Sequence, residues 1–183
     1  AVIANSGNAN ACTGVPGITD ARQMAKTVAS SLGIRQREVG VCSTGVIGLP
    51  LPMQRMEEGL HTLPTKLTRD GGRQVAEAIM TSDTTVKEIA ITATVGGKKI
   101  RIGACAKGAG MICPSMATML CFVTTDASIS KACLQKSLLE AVESSFNRIC
   151  IDGDMSTNDT VLVLANGQAG GKPIIRRSKA CRE

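Results

Sequence analysis

Ile89-Ala-Ile-Thr-Ala-Thr-Val-Gly-Gly-Lys-Lys-Ile-Arg-Ile-Gly-Ala104 is the stretch from which the fold class is read. Ile89, Ile91, Ala93 and Val95 alternate with polar or small residues, Gly96-Gly97 supplies a turn, and Ile100, Ile102 and Ala104 alternate back. Period two on both arms predicts an antiparallel hairpin, with Lys107-Gly108-Ala109-Gly110 at the end of its second arm.

Working outward, residues 2–4 read as a buried strand entering the turn-like run Asn5-Ser-Gly-Asn-Ala-Asn10. Asp20 reads as the cap of a helix whose Ala21, Met24, Ala25, Val28 and Leu32 recur at helical spacing, with Gly33 as its stop. Val39–Cys42 forms a short strand that delivers Ser43-Thr44-Gly45 at its end. Short helices are expected near 53–60 and 70–80, a buried strand over 119–123, and a helix from about Ser130 to Phe146 with Leu134, Leu138, Val142 and Phe146 on one face. A last apolar element covers 161–164. Antiparallel pairs rather than regular βαβ alternation, with no repeat or linker, predict a single α/β (α+β) unit over 1–183, layered from sheet and helix.

The chain has 183 residues, 43% apolar and 20% charged, as suits a protein with a packed core. Phe122 and Phe146 are its only aromatic residues, so the core must be aliphatic and a base-stacking nucleic-acid platform is disfavoured. The net charge of +6 owes much to Lys172, Arg176, Arg177, Lys179 and Arg182 near the end, which read as a solvated surface. Neither a nucleic-acid nor a membrane partner is expected. The eight cysteines contain no C-x-x-C, so reduced thiols are expected and no metal site. Asp152, Asp154, Asn158 and Asp159 lack the spacing of a calcium loop and read as an Asx-rich turn. Ala1 opens inside an apolar stretch, and the sequence reads as a piece of something longer.

His61 is the only histidine and reads as an exposed helix end, so an imidazole base is not expected. A terminal α-amine, whose unperturbed pKa is about 7.7–8.0, can serve instead. Lys107-Gly-Ala-Gly-Met-Ile-Cys-Pro-Ser-Met-Ala-Thr-Met-Leu120 offers a way to make one. If the Thr118 hydroxyl attacks the Ala117 carbonyl, water can cleave the resulting ester and leave Thr118 as a new N-terminus holding nucleophile and base together. The local residues by themselves favour Thr118 as an ordinary first strand residue. Thr44-Gly45 can be a plain strand exit, Lys107 a solvated lysine, and Thr81 a capping hydroxyl.

Five blocks shift that balance: Asn5-Ser-Gly-Asn-Ala-Asn-Ala-Cys-Thr-Gly14, Ser43-Thr-Gly-Val-Ile-Gly48, Ala78-Ile-Met-Thr-Ser-Asp-Thr84, Lys107-Gly-Ala-Gly-Met111 with Met116-Ala-Thr-Met-Leu120, and Asp152-Gly-Asp-Met-Ser-Thr-Asn-Asp-Thr160. In composition and order they resemble the ArgJ family, the ornithine acetyltransferases (glutamate N-acetyltransferases) of arginine biosynthesis. The resemblance implies the ArgJ/DmpA-like fold of self-processing N-terminal-nucleophile enzymes. It further implies cleavage between Ala117 and Thr118, so that 1–117 ends an α chain and 118–183 begins a β chain. Thr118 then carries an acetyl group from N2-acetylornithine to glutamate in a ping-pong transfer. Thr44 and Gly45 match the family's oxyanion hole, and Thr81, Lys107 and Thr118 its substrate-binding positions. No cofactor is implied, with acetyl-CoA left open as a co-substrate for glutamate acetylation. The implied assembly is a heterotetramer of two α and two β chains, cytoplasmic, or in the mitochondrial matrix in fungi. The family's later substrate ligands have no counterpart before Glu183, so the chain reads as an internal fragment incomplete at both ends. Two alternatives remain, a related self-processing aminopeptidase or hydrolase and a catalytically incomplete fragment.

Overall fold

A computed structural model describes residues 1–113, the backbone of 116–117, and 119–175. Where the sequence reads as one unit, two compact units are found, Ala1–Thr81 and Ser82–Glu183. The reason is in the strand pairing: each unit closes hydrogen bonds within its own sheet, and the division falls in the bend after a short helix rather than in a linker.

In the first unit β1 (Val2–Asn8) pairs in parallel with β2 (Gly40–Val46), and α1 (Gly14–Leu32) makes the crossover between them. Such a parallel connection needs a helix-length return, and the absence of βαβ alternation expected from sequence is corrected here. β1 runs on through Asn5–Asn8, which had read as a turn, because its ladder with β2 continues to Asn8↔Val46. α1 begins six residues before Asp20, with Thr13 at its N-cap, and so places Asp20 in its interior. Gly33 ends it in the left-handed region at φ 64°, as expected. α1 turns Met24, Ala25, Val28 and Ala29 inward onto Val39, Leu51 and Leu60, and Met24 is fully buried. α2 (Met53–Thr62) supplies Leu60, while His61 is exposed in its last turn. α3 (Gly72–Ala78) completes the unit.

The second unit is a mixed sheet in the order β3-β4-β7-β8. β3 (Lys87–Val95) and β4 (Lys98–Lys107) form the hairpin read from the sequence, with Gly96 and Gly97 at φ 55° and 74° as a two-residue turn of that kind requires. β7 (Leu120–Thr125) lies antiparallel to β4, and β8 (Thr160–Ala165) parallel to β7. α4 (Lys131–Ser144) connects these last two strands. Its N-cap Ser130 accepts a hydrogen bond from the Cys133 N–H, and Leu134, Leu138 and Val142 are half-buried along it. Two short strands, β5 (Ile112–Cys113) and β6 (Met116–Ala117), pair separately just ahead of Thr118. Cys12, Cys42, Cys105, Cys113, Cys121 and Cys150 are free thiols, but Cys133 is disulfide-bonded, which corrects the expectation of uniformly reduced cysteines.

Candidate functional site

In the first unit the block around Thr44-Gly45 lies within β2, not beyond its end. Burial of Cys42, Ser43 and Thr44 in succession explains why the strand continues, and Thr44 is only 2% exposed. Gly45 sits opposite Gly7 in the parallel ladder, at φ 131° against 115°. A Cβ on Gly45 would lie 2.2 Å from the Gly7 carbonyl carbon and 2.7 Å from the Asn8 nitrogen, so only glycine fits.

The neighbouring block is folded back over this strand end. Ala9 N–H donates to Val46 O at 2.9 Å, Asn5 Nδ2 to Asn8 O at 2.9 Å, and Asn8 Nδ2 to Pro50 O at 3.0 Å. Ser6, the ladder partner of Thr44, donates its hydroxyl to Ala78 O at 2.7 Å. That bond ties the C-terminus of α3, three residues before Thr81, to the strand beside Thr44. Thr81 itself is exposed in the bend that follows.

In the second unit Lys107 ends β4 opposite Leu120 and is 2% exposed, so it is not a solvated lysine at a hairpin end. Asp83, whose charge acts on Lys107, has a fully buried carboxylate that accepts from Lys87 Nζ at 2.6 Å and from Gly108 N–H at 2.7 Å. Burial pulls the Lys107 pKa below its ordinary value. Attraction to Asp83 and Asp159 opposes that shift, and the Lys87 charge adds to it.

Two further carboxylates hold the segments around Thr118. Asp152 accepts from Met111 N–H at 2.6 Å and Ile112 N–H at 2.9 Å, and these backbone bonds keep its carboxyl below the usual range. Asp159 accepts from Met119 N–H at 2.7 Å, and its second oxygen is buried with no hydrogen-bond partner among the described residues. Burial pushes the Asp159 carboxyl up to about 6, with the Met119 N–H, the Ser156 hydroxyl and the Lys107 charge pulling the other way. Sequence alone gives Asp83 no role and reads Asp159 only as part of an Asx-rich turn shaping the site. Spacing carries no signal of burial beside Lys107, which strand pairing creates.

The raised Asp159 carboxyl makes stability depend on pH. A carboxyl raised from 3.8 to about 6 on folding takes up a proton, so its stabilising contribution is full below 3.8 and is lost as the pH rises through about 6. Asp159→Asn keeps an acceptor oxygen for Met119 but cannot ionise. The wild-type protein is therefore expected to gain stability over Asp159→Asn as the pH falls from about 7 to about 5. Denaturation midpoints at both pH values check this, and a constant difference would refute it.

Thr44 and Gly45 are thus adjacent in one unit, with the Thr81 segment tied to the same unit through Ser6, whereas Lys107 stands in the other. Ala117 is the last residue of β6, its backbone paired with Ile112. Thr118, read as the nucleophile, lies outside the described residues. Among the described residues no group of three or more His, Cys, Asp or Glu is arranged to hold a metal ion, and no helix is long and apolar enough to cross a membrane.

Comparison with known proteins places these residues in a wider setting. The ArgJ family profile matches residues 1–182. The arginine biosynthesis bifunctional protein ArgJ of Symbiobacterium thermophilum is 57% identical over 175 residues, covering 96% of this chain and 44% of that protein. Its namesake in Geobacter sulfurreducens is 50% identical over the full 183 residues and 47% of its own length. The chain thus spans less than half the length of these relatives. Among solved structures, ArgJ of Bacillus halodurans matches with a TM-score of 0.57 at 41% identity, over 65% of this chain and 61% of that one. The ornithine acetyltransferase of Mycobacterium tuberculosis, solved with ornithine, matches with a TM-score of 0.52 at 37% identity, over 62% and 61%.

Proposed function

The chain belongs to the ArgJ family, and from that premise we propose that it carries the nucleophile-bearing part of an enzyme of arginine biosynthesis that moves an acetyl group from N2-acetylornithine to glutamate. The match over residues 1–182, with Ala117-Thr118 intact inside it, is the observation that carries this reading.

In the proposed sequence the chain first cleaves between Ala117 and Thr118. The freed Thr118 amine then takes the proton from the Thr118 hydroxyl as its oxygen attacks the acetyl carbonyl of acetylornithine. The tetrahedral oxyanion is stabilised by the Thr44 hydroxyl and the Gly45 N–H. Collapse expels the ornithine amine, which takes up the proton, and leaves acetyl-Thr118. The glutamate amine attacks this ester by the same route and departs as acetylglutamate. A buried Lys107 with a weakened hold on its proton suits a group that binds a substrate carboxylate or lowers the pKa of a neighbouring amine, and Thr81 contributes a hydroxyl to the substrate. This chemistry needs no cofactor. Acetyl-CoA would serve as a second acetyl donor, in keeping with the relatives' description as bifunctional. We place the working enzyme in the cytoplasm as paired α and β chains, two of each.

Incubation with acetylornithine and glutamate tests the reading. Ornithine and acetylglutamate should appear in equal amounts without acetate, and acetylornithine alone should leave one acetyl group on the piece beginning at Thr118. Net release of acetate, or cleavage of small peptides, would instead identify a hydrolase. Thr44→Val removes one oxyanion donor at nearly constant volume and should lower kcat about 100- to 1,000-fold, with KM little changed. A change confined to KM would take Thr44 out of that role.

A further inference from the structure

Among the described residues outside the acetyl-transfer site, Cys113 and Cys150 form a pair of nucleophilic side chains with no role assigned. Cys113 ends β5, and Cys150 lies in the stretch between α4 and β8. Ile151 N–H donates to Ile112 O at 2.8 Å. That bond joins the residue after one cysteine to the residue before the other, and so brings the two cysteine backbones alongside each other. The crossing is held by this one backbone bond, because Ile112 N–H donates to Asp152 Oδ1 rather than back to Ile151. The Cys150 thiol lies close enough to Cys113 to perturb its ionisation, and both thiols are free. Asp152 reinforces the register by accepting from Met111 and Ile112.

Residues facing each other across hydrogen-bonded chains have Cα atoms about 4.5–5.5 Å apart, within the roughly 4.4–6.8 Å range that disulfides span. We propose that Cys113 and Cys150 are a redox-active dithiol that a small-molecule disulfide of the glutathione class converts reversibly to an intramolecular disulfide. Cys150 is exposed and Cys113 half-buried, which makes Cys150 the entry point. The Cys150 thiolate attacks one sulfur of glutathione disulfide and releases glutathione thiolate. Cys113, giving its proton to solvent, then attacks the Cys150 sulfur of the mixed disulfide and releases the second glutathione. Two electrons and two thiol hydrogens pass from the pair to the oxidant, which becomes two glutathione thiols. Burial, the Cys150 thiol and the Asp152 and Asp154 carboxylates all raise the Cys113 pKa, so the closing step quickens as the pH rises. The closed bond ties β5, whose partner β6 leads directly into Thr118, to the segment preceding Asp152. The inference stands independently of the acetyl-transfer reading.

The test equilibrates the protein in buffers of graded reduced-to-oxidised glutathione ratio, followed by acid quenching, alkylation, digestion and mass spectrometry. A linked Cys113–Cys150 peptide should accumulate as the oxidised fraction rises and revert to two alkylated cysteines on return to reduced glutathione. Cys113→Ser should instead trap Cys150 as a mixed glutathione disulfide, the outcome also expected of the exposed Cys12 thiol. If wild-type Cys113 and Cys150 are each singly alkylated or singly glutathionylated at the fully oxidised end, the proposal is overturned. That measurement needs no variant to fold.

Discussion

Gly45→Ala is expected to prevent the first unit from folding, whereas Gly48→Ala three residues on is tolerated. Both glycines have positive φ, 131° and 83°, so both substitutions strain the backbone, at about 1–3 kcal/mol each. The difference lies in what the new methyl meets. At Gly48 nothing lies within 4 Å, but at Gly45 the Cβ would overlap the Gly7 carbonyl carbon at 2.2 Å and its oxygen at 2.4 Å. Those are main-chain atoms of the paired strand and cannot swing aside, so β1 and β2 must separate where Ser6↔Thr44 and Gly7↔Gly45 define the register. Relief costs the ladder beyond Asn5 and the bonds built on it, among them Ala9 N–H to Val46 O and Ser6 to Ala78 O. Losses of this kind exceed about 4 kcal/mol, a large part of a domain's net stability. Gly7→Ala separates the two causes, because it imposes a positive φ of 115° on alanine with open space around it. Chemical denaturation should rank Gly45→Ala far below Gly7→Ala, with Gly48→Ala nearest the wild type. Equal stabilities for Gly45→Ala and Gly48→Ala would show that the strands part without cost.

How far such constraints can be read from the residues differs between the units. The β3–β4 hairpin was legible because Ile89 to Ala104 carries both the period and the turn chemistry, and both signals are local. Gly33 as the end of α1 was legible for the same reason. The path of β1 through Asn5-Ser6-Gly7-Asn8 was not. Those residue types favour turns when isolated, and only the parallel ladder with β2, which lies across a 19-residue helix, holds them extended. Lys107 shows the same limit at the candidate site. A lysine after a hairpin arm is normally solvated, and its burial depends on Leu120 of β7 and on the Asp83 and Asp159 charges, all distant in sequence. The motif blocks pointed to the correct family because they preserve residue identities. They carried no record of which carboxylates lie buried among them.

Thr118→Ala should abolish self-cleavage, the second large effect expected. The proposed scission begins when the Thr118 hydroxyl attacks the Ala117 carbonyl and passes the acyl group from nitrogen to oxygen. Alanine has no oxygen to receive it, so intact mass should show a single uncleaved chain, whereas the wild type gives pieces 1–117 and 118–183. Thr118→Ser keeps the nucleophile and should still cleave. The described residues on either side of this bond are anchored. Ala117 is held by its pairing with Ile112, and Met119 is held on both sides, its N–H by Asp159 at 2.7 Å and its carbonyl by Thr160 N–H at 2.9 Å. The same sheet dictates how the cut chain behaves. β3 and β4 belong to the first piece and β7 and β8 to the second, and the β4–β7 ladder from Ile102↔Thr125 to Lys107↔Leu120 crosses between them. The two pieces should therefore co-elute under native conditions and separate only in denaturant, much as adjacent strands of an uncut sheet remain paired. Cleavage of Thr118→Ala at the same bond would remove Thr118 from the role of nucleophile. Cleaved wild-type pieces that separate without denaturant would show that the β4–β7 ladder does not outlast the cut.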